Sequence, residues 1–294
     1  MQINYDRQQE IYKRLREEAL QNASIPSDPD AETRMPTVGQ WCQERIMAPL
    51  RPLLEEDQQW LTIGDGNMAS EAQWLHQQGV EAHATDLAAD LLEVAFSQKL
   101  ITGWSKENAE KLSFADESFD YVLIKEAFHH FPRPWLALYE AFRVCRMGVI
   151  LLEPNGEYPR PLSSMLRYLR RQPSTIHYRF EKVGNFVYAP NPIELEKFLL
   201  GLGGHQISFR FYNDYWMSSE ADQSPVLGGT SRHKKLRRTV KRTIWWRDLI
   251  ARTGLVPFGK LGCVLFKQQA YKEVISTMNR RGWHHKHLPA NPFR

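Results

Sequence analysis

Cysteine is scarce in this chain, and what there is lies scattered. Cys42, Cys145 and Cys263 are the only three in 294 residues. They form neither a disulfide framework nor a CxxC metal knuckle. Each has apolar neighbours, which predicts buried thiols in a reducing compartment. Long apolar runs are missing as well. Nothing approaches the roughly 18 consecutive apolar residues of a membrane-spanning helix, and the opening stretch MQINYDRQQEIYKRLREEAL is too polar for a secretory signal. The expectation is therefore a cytoplasmic protein. No GKS or GKT closes a glycine loop, which excludes a Walker A site. HxxxH or HxE spacing with a third ligand nearby is lacking, so no metal site is expected. There is no internal repeat, and no recognised nucleic-acid module.

What is present supports a full core: 42% of the residues are hydrophobic, and the net charge is only +4. That charge is unevenly placed. In RHKKLRRTVKRTIWWR, from Arg232 to Arg247, no residue is acidic. A local feature thus explains the basic total, and a general nucleic-acid footprint does not follow. Leu236, Val240 and Ile244 recur every four residues, with Trp245 and Leu249 beside them. This is an amphipathic basic helix. Three readings fit it: peripheral contact with an anionic membrane through 232–252, contact with a phosphorylated acceptor, or a helix that packs its apolar stripe on the domain; nucleic-acid contact is the less favoured fourth.

Strand and helix signals alternate through the middle of the chain. Helices are expected over 2–22 and 38–57, the second interrupted near Pro49 and Pro52. Strands follow at Leu61–Ile63, in VEAHATD, in KLITGWS, at Tyr121–Ile124 and in GVILLEPN, with helices at Glu71–Gln78 and Pro134–Val144. Later come a helix from Pro192 to Leu200, a sixth strand QISFRFY and a seventh from Lys260. The alternation predicts an α/β fold with a parallel sheet covered on both faces. Three regions are expected. Residues 1–57 are a helical extension. Residues 58–270 are the main domain, with insertions at about 156–190 and 214–258. Residues 271–294, including Trp283, His284, His285 and His287, read as a flexible tail.

The first strand runs into Gly64 and Gly66 within LTIGDGNM. Glycine permits positive φ and lets a backbone approach something closely. A strand, a glycine turn and a helix can cradle a nucleotide-like ligand, or can simply be a tight turn. The order of the remaining pieces resembles the class I S-adenosylmethionine-dependent methyltransferases, of the type 11 kind, over residues 58–155. Gly64 and Gly66 match that family's GxGxG loop, while Thr62 and Met68 stand where an acid and a third glycine are usual. Asp86, at the end of HATD, matches the acid that binds the ribose hydroxyls. NAEKLSF matches the family's D-A-E-x-L-P-F segment, with Asn108 in place of Asp. HHFPRPWLALYEAFRV matches its H-H-x-x-x-P stretch and E-x-x-R-V helix.

The resemblance implies a seven-stranded Rossmann-like methyltransferase sheet with helices on both faces, added N-terminal helices, and an inserted region for the acceptor. It implies S-adenosylmethionine as cofactor, with S-adenosylhomocysteine as product. Gly64, Asp65, Gly66, Asp86, Asn108, Ala109, Glu110 and Lys125 become the candidate cofactor-binding residues. His129 and His130 become the candidate bases, since imidazole titrates near pH 6.5. Each has a plainer alternative: Asp65 as a loop acid, Asp86 as a cap, Glu110 as a solvent-facing residue, the histidines as packing. Tyr212 and Asp214, after the sixth strand, and the aromatic stretch 177–188 are candidates for the acceptor side. The implied reaction is methyl transfer to a small-molecule, polysaccharide-precursor or lipid-linked acceptor, at a hydroxyl oxygen. The rival is a methyltransferase-like fold that has lost turnover and serves as a binding or scaffold protein.

Overall fold

The computed structural model describes residues 37–156, 186–215 and 230–290, with Phe180, Pro225 and Pro292 as isolated positions. The helix expected over 2–22 and most of the aromatic stretch 177–188 lie outside the described residues.

Helix α1 (Val38–Met47) starts at a capping box, in which Thr37 and Gln40 satisfy each other's backbone N–H groups. Pro49 and Pro52 lack an N–H, and the chain continues as a 3-10 turn over Ala48–Leu53. The alternating core follows: β1 (Gln59–Ile63), α2 (Ser70–Gln77), β2 (Glu81–Asp86), α3 (Asp90–Ser97), β3 (Gly103–Lys106), β4 (Phe119–Lys125), α4 (Pro134–Val144) and β5 (Cys145–Pro154). The second half holds α5 (Pro192–Leu202), β6 (Gln206–Tyr212), α6 (Ser231–Arg252), β7 (Lys260–Phe266), α7 (Lys272–Arg280) and β8 (His284–His287).

One eight-stranded sheet runs in the order β3-β2-β1-β4-β5-β7-β6-β8. Strands β1 to β5 pair in parallel, while β7 is antiparallel to both β5 and β6. The central strands are mostly apolar because both of their faces are covered. Trp60, Trp74, Leu75 and Leu92 belong to the core on one face, which includes residues of α2 and α3. Leu61, Phe128, Leu138 and Leu199 belong to the core on the other, which includes residues of α4 and α5. From β1 the chain moves outward to β2 and β3, and from β4 it moves the opposite way to β5. A crevice therefore opens at the carboxyl ends of β1 and β4, the usual ligand position in open α/β sheets.

The fold differs from the sequence expectation at its C-terminus. The segment read as a flexible tail supplies α7 and an eighth strand. HHKH has no apolar alternation, so β8 carries no pattern of its own. It is held by pairing with β6 and by a 2.9 Å hydrogen bond between Ser208 Oγ and His285 Nδ1. On either side of it, Trp283 and Leu288 are buried, and Trp283 Nε1 donates to the Pro49 carbonyl at 3.0 Å. Trp283→Ala is expected to lower unfolding stability by about 3–5 kcal/mol, measured by denaturant titration. A wild-type midpoint would mean that this segment does not dock.

Candidate functional site

The loop after β1 is fixed by the crevice itself. Gly64 and Asp65 donate their backbone N–H groups to the Thr85 carbonyl on β2, at 2.9 and 3.1 Å. Gly64 has φ +78°, and a Cβ there would lie 2.4 Å from the Cβ of Ala127, beyond β4. The glycine is thus required by contact between the two loops that wall the crevice. Gly66 does not take a positive φ. Met68 and Ala69 do, at +57° and +55°, so the place of the family's third glycine keeps the left-handed backbone but carries a side chain.

Asp65 points into the protein rather than toward a ligand. It accepts from Thr62 Oγ1 at 2.9 Å and from the backbone N–H groups of Ala72 and Glu71 at 2.9 and 3.2 Å. It thereby caps α2, whose own N-cap residue, Ala69, makes no side-chain capping bond. Thr62, which stands where the family carries an acid, serves this cap. Burial, then the neighbouring Glu71 charge, pushes the Asp65 carboxyl well above the usual range.

Lys125 is also committed internally. Its Nζ lies 2.7 Å from Glu71 Oε1, with both side chains largely buried. Burial alone would raise the Glu71 carboxyl. The Lys125 charge, with hydrogen bonds from Asp65, Lys125 and Ser70, instead holds it at about 2. Asp65 and Lys125 are thus both bound into the scaffold of the glycine loop.

Two of the other candidates stand at the crevice edge. Asp86 ends β2, and its Oδ1 accepts from the Ala88 N–H at 2.8 Å, which orients the carboxylate. Asn108 Oδ1 accepts from the Glu110 N–H at 2.9 Å, so its NH2 is the donor end for recognition. Ala109 is buried beside it. Glu110 is not solvent-facing. It is buried and receives two bonds of 2.6 Å from Arg133, one from the backbone N–H and one from Nε. It ties the 108–112 loop to the start of α4. Arg143 on α4 completes this bracing by donating to the carbonyls of Leu112 and Phe114. The donor set fits S-adenosylmethionine: a carboxylate suits a ribose diol, an amide suits a purine edge, and a bare glycine loop suits the amino-acid end.

The loop after β4 carries the histidines on a short 3-10 turn, Phe128–His130. Glu153, near the end of β5 and 0% exposed, organises it. Its Oε1 accepts from the backbone N–H groups of Ala127 and Phe128, both at 2.9 Å, and its Oε2 lies 2.6 Å from His129 Nδ1. Burial lowers the His129 pKa, but the hydrogen bond and charge of Glu153, with the charge of Glu126, outweigh it and hold the imidazole above 6.5. The His130 ring lies 4.0 Å from that of His129.

Beside them Lys260, at the start of β7, pairs with Glu126 at 2.5 Å. Asn213 accepts from the Gly259 N–H and donates to Asp248 of α6. Among the described residues, Arg45 Nε, Asn155 Oδ1 and Asp214 Oδ1 are buried without hydrogen-bond partners. Two of these, Asn155 and Asp214, lie within two residues of the ends of β5 and β6. Glu153, Lys260 and Asn155 escape sequence reading. An acid in the apolar run VILLEP was the available signal, because an acid there must be paired once buried. The described residues contain no group of side chains able to hold a metal ion.

Residues 61–152 match the family model of a methyltransferase domain, about a third of the chain, spanning β1 to β5. That segment is similar to a methyltransferase domain. The ubiquinone/menaquinone biosynthesis C-methyltransferase UbiE of Rhizobium meliloti is 31% identical over 118 residues, covering 37% of this chain and 46% of that protein. An uncharacterized protein of Mycobacterium tuberculosis is 30% identical over 141 residues, 42% of this chain and 50% of that one. The chain thus spans about half the length of the curated relatives it matches. A SAM-dependent methyltransferase structure from Archaeoglobus fulgidus aligns at TM-score 0.47 and 17% identity, covering 76% of this chain and 94% of that one.

The buried ion pair yields a stability test. Lys125→Met leaves Glu71 without its countercharge and is expected to cost about 3 kcal/mol at neutral pH. The wild-type contribution of Glu71 is present above the unfolded carboxyl value of about 4.3 and is lost as pH falls toward 2. The gap between wild type and variant in urea titrations should therefore narrow over that window. A gap that stays constant in acid would exclude the pairing.

Proposed function

We propose that this chain transfers a methyl group from S-adenosylmethionine to a hydroxyl oxygen of its acceptor, with His129 as the proton acceptor. The observation that carries the proposal is the His129–Glu153 contact of 2.6 Å at the carboxyl edge of the sheet. Glu153 is a buried carboxylate surrounded by donors, so Nδ1 holds the proton and Nε2 is the basic nitrogen. This is the logic by which a carboxylate fixes the tautomer of a catalytic histidine. When bound, S-adenosylmethionine supplies a methyl group made electrophilic by its sulfonium. The chain's own task is to orient the acceptor oxygen and remove its proton.

In this reading Gly64 and Gly66 line the amino-acid end of the cofactor, Asp86 holds its ribose, and Asn108 with Ala109 flanks its base. The acceptor lies over β5, β7 and β6, near Asn155, Lys260 and Asp214. His130 supports the His129 ring. The relative named as a C-methyltransferase uses the same domain for carbon, so the oxygen assignment rests on the histidine pair alone. The rival reading, a fold that has lost cofactor binding, draws on Thr62 and the side chain at Met68. It predicts no binding heat when S-adenosylmethionine is titrated into the protein.

Asp86→Ala should weaken S-adenosylmethionine binding in calorimetry by about 10–100-fold, the equivalent of about 1.5–3 kcal/mol lost from a charged acceptor. Unchanged affinity would remove Asp86 from the site.

His129→Ala should lower kcat on a hydroxyl acceptor by about 10²–10⁴ with little change in cofactor affinity. The wild-type kcat should rise with pH through a pKa above 6.5, because the base works only when deprotonated. Glu153→Gln should move that rise to lower pH, since it removes the charge that holds the imidazolium. A pH profile that does not move would show that the pair has no part in proton transfer.

A further inference from the structure

Helix α6 turns two different apolar faces in two directions. Val240 and Ile244 pack on Val38 and Cys42 of α1. Several basic residues on the same side fasten the helix to the body: Lys241 lies over the Trp41 ring, Arg247 donates to the Asp214 carbonyl and Arg237 to that of Pro225. The repeating stripe of the sequence is thus a packing stripe. The opposite side carries a second apolar set that stays exposed. Trp245, Trp246, Leu249 and Ile250 near the end of α6, with Leu255 and Val256 in the turn after it, are between 41% and 67% exposed. The two indole rings meet edge-on at 4.8 Å. One turn toward the helix N-terminus, this same side presents Lys235, Arg238 and Arg242, all exposed. They border an open groove of about 750 Å³ that Lys234 and Lys241 also line.

We infer that this end of α6 and the 253–257 turn dock on an anionic lipid bilayer, with the tryptophans and aliphatic side chains in the interfacial layer and the basic row on the headgroup phosphates. Three observations favour lipid over other occupants. Paired tryptophans beside aliphatic tips suit the boundary between hydrocarbon and water. The charge along the outward side is of one sign, complementary to an acidic surface. The apolar set also occupies the C-terminal half of the helix and the basic set the N-terminal half. A nucleic-acid groove would leave the apolar half without a partner. The docking turn is joined to the carboxyl edge of the sheet, since Asn155 Nδ2 donates to the Phe258 carbonyl and Gly259 donates to Asn213. Docking would hold the Lys260–Glu126 side of the crevice against the bilayer. The inference does not depend on methyl transfer.

The test is co-sedimentation of the full chain with vesicles of phosphatidylcholine alone and of equal parts phosphatidylcholine and phosphatidylglycerol, each at low and moderate salt. The intact chain should pellet with the anionic vesicles and far less with the neutral ones. Lys235→Gln, Arg238→Gln and Arg242→Gln together should weaken partitioning by roughly 100-fold, about fivefold per residue. Trp245→Ser with Trp246→Ser should abolish pelleting at moderate salt. All five positions are exposed, and unchanged thermal melting together with unchanged S-adenosylmethionine titration would confirm an intact fold. Three outcomes would overturn the inference. These are no pelleting of the intact chain, equal pelleting of parent and tryptophan variant, and a dimer in sedimentation velocity that the tryptophan variant dissolves, which would make a second copy the occupant. Binding to RNA that survives the tryptophan substitutions, without vesicle binding, would likewise replace it.

Discussion

The site hangs on one buried carboxylate. Glu153 lies within the sheet, where an unpaired charge would be prohibitively costly. It is kept there by three donors from the neighbouring loop: two backbone N–H groups and His129. Those bonds fix where the chain goes after β4. They set Ala127 against Gly64, the contact that makes glycine obligatory at the end of β1. A carboxylate on β5 thereby sets the width of a crevice between β1 and β4. The same bonds orient the histidine, so the walls of the site and its candidate base share one anchor.

A second buried cluster does comparable work on the cofactor side. Asp65, Glu71 and Lys125 bring two carboxyls and one ammonium into the space beneath the glycine loop. Burial and the Glu71 charge push Asp65 up, while Lys125 pulls Glu71 down. Glu71 therefore carries the charge that balances Lys125. Asp65 then caps α2 from outside the helix. The glycine loop needs this support because Met68 and Ala69 hold left-handed backbone that costs about 1–2 kcal/mol each.

Much of this was legible in the sequence, for identifiable reasons. Parallel strands covered on both faces are continuous apolar runs, so the first, fourth and fifth strands stood out. Gly64, Asp86 and the NAEKL segment could be placed because their order and spacing together exceed what any one motif carries. The roles of Asp65 and Lys125 were not legible. A carboxylate that caps a helix and one that meets a ligand look alike in a loop, and only burial separates them. The last strand was hidden because His284–His287 owes its position to β6 and to Trp283 rather than to its own pattern. The basic helix was half legible. Its four-residue repeat marked the face that packs inward, while the outward tryptophans fall outside that repeat.

The sheet divides its labour by strand direction. The parallel half, β1 to β5, leaves its carboxyl ends and glycine turns along one edge, where helix-leading loops and acids gather. Beyond β5 the direction alternates, so the start of β7 and the end of β6 meet at that same edge. This brings Lys260 to Glu126, and it brings Asn213 to both Gly259 and Asp248 of α6. On the proposed reading, the parallel half handles the cofactor and the antiparallel half handles the acceptor. The base stands between them, because β5 is the one strand that pairs with both kinds of neighbour. A carboxylate placed on that strand is therefore within reach of both halves, which is the position Glu153 occupies.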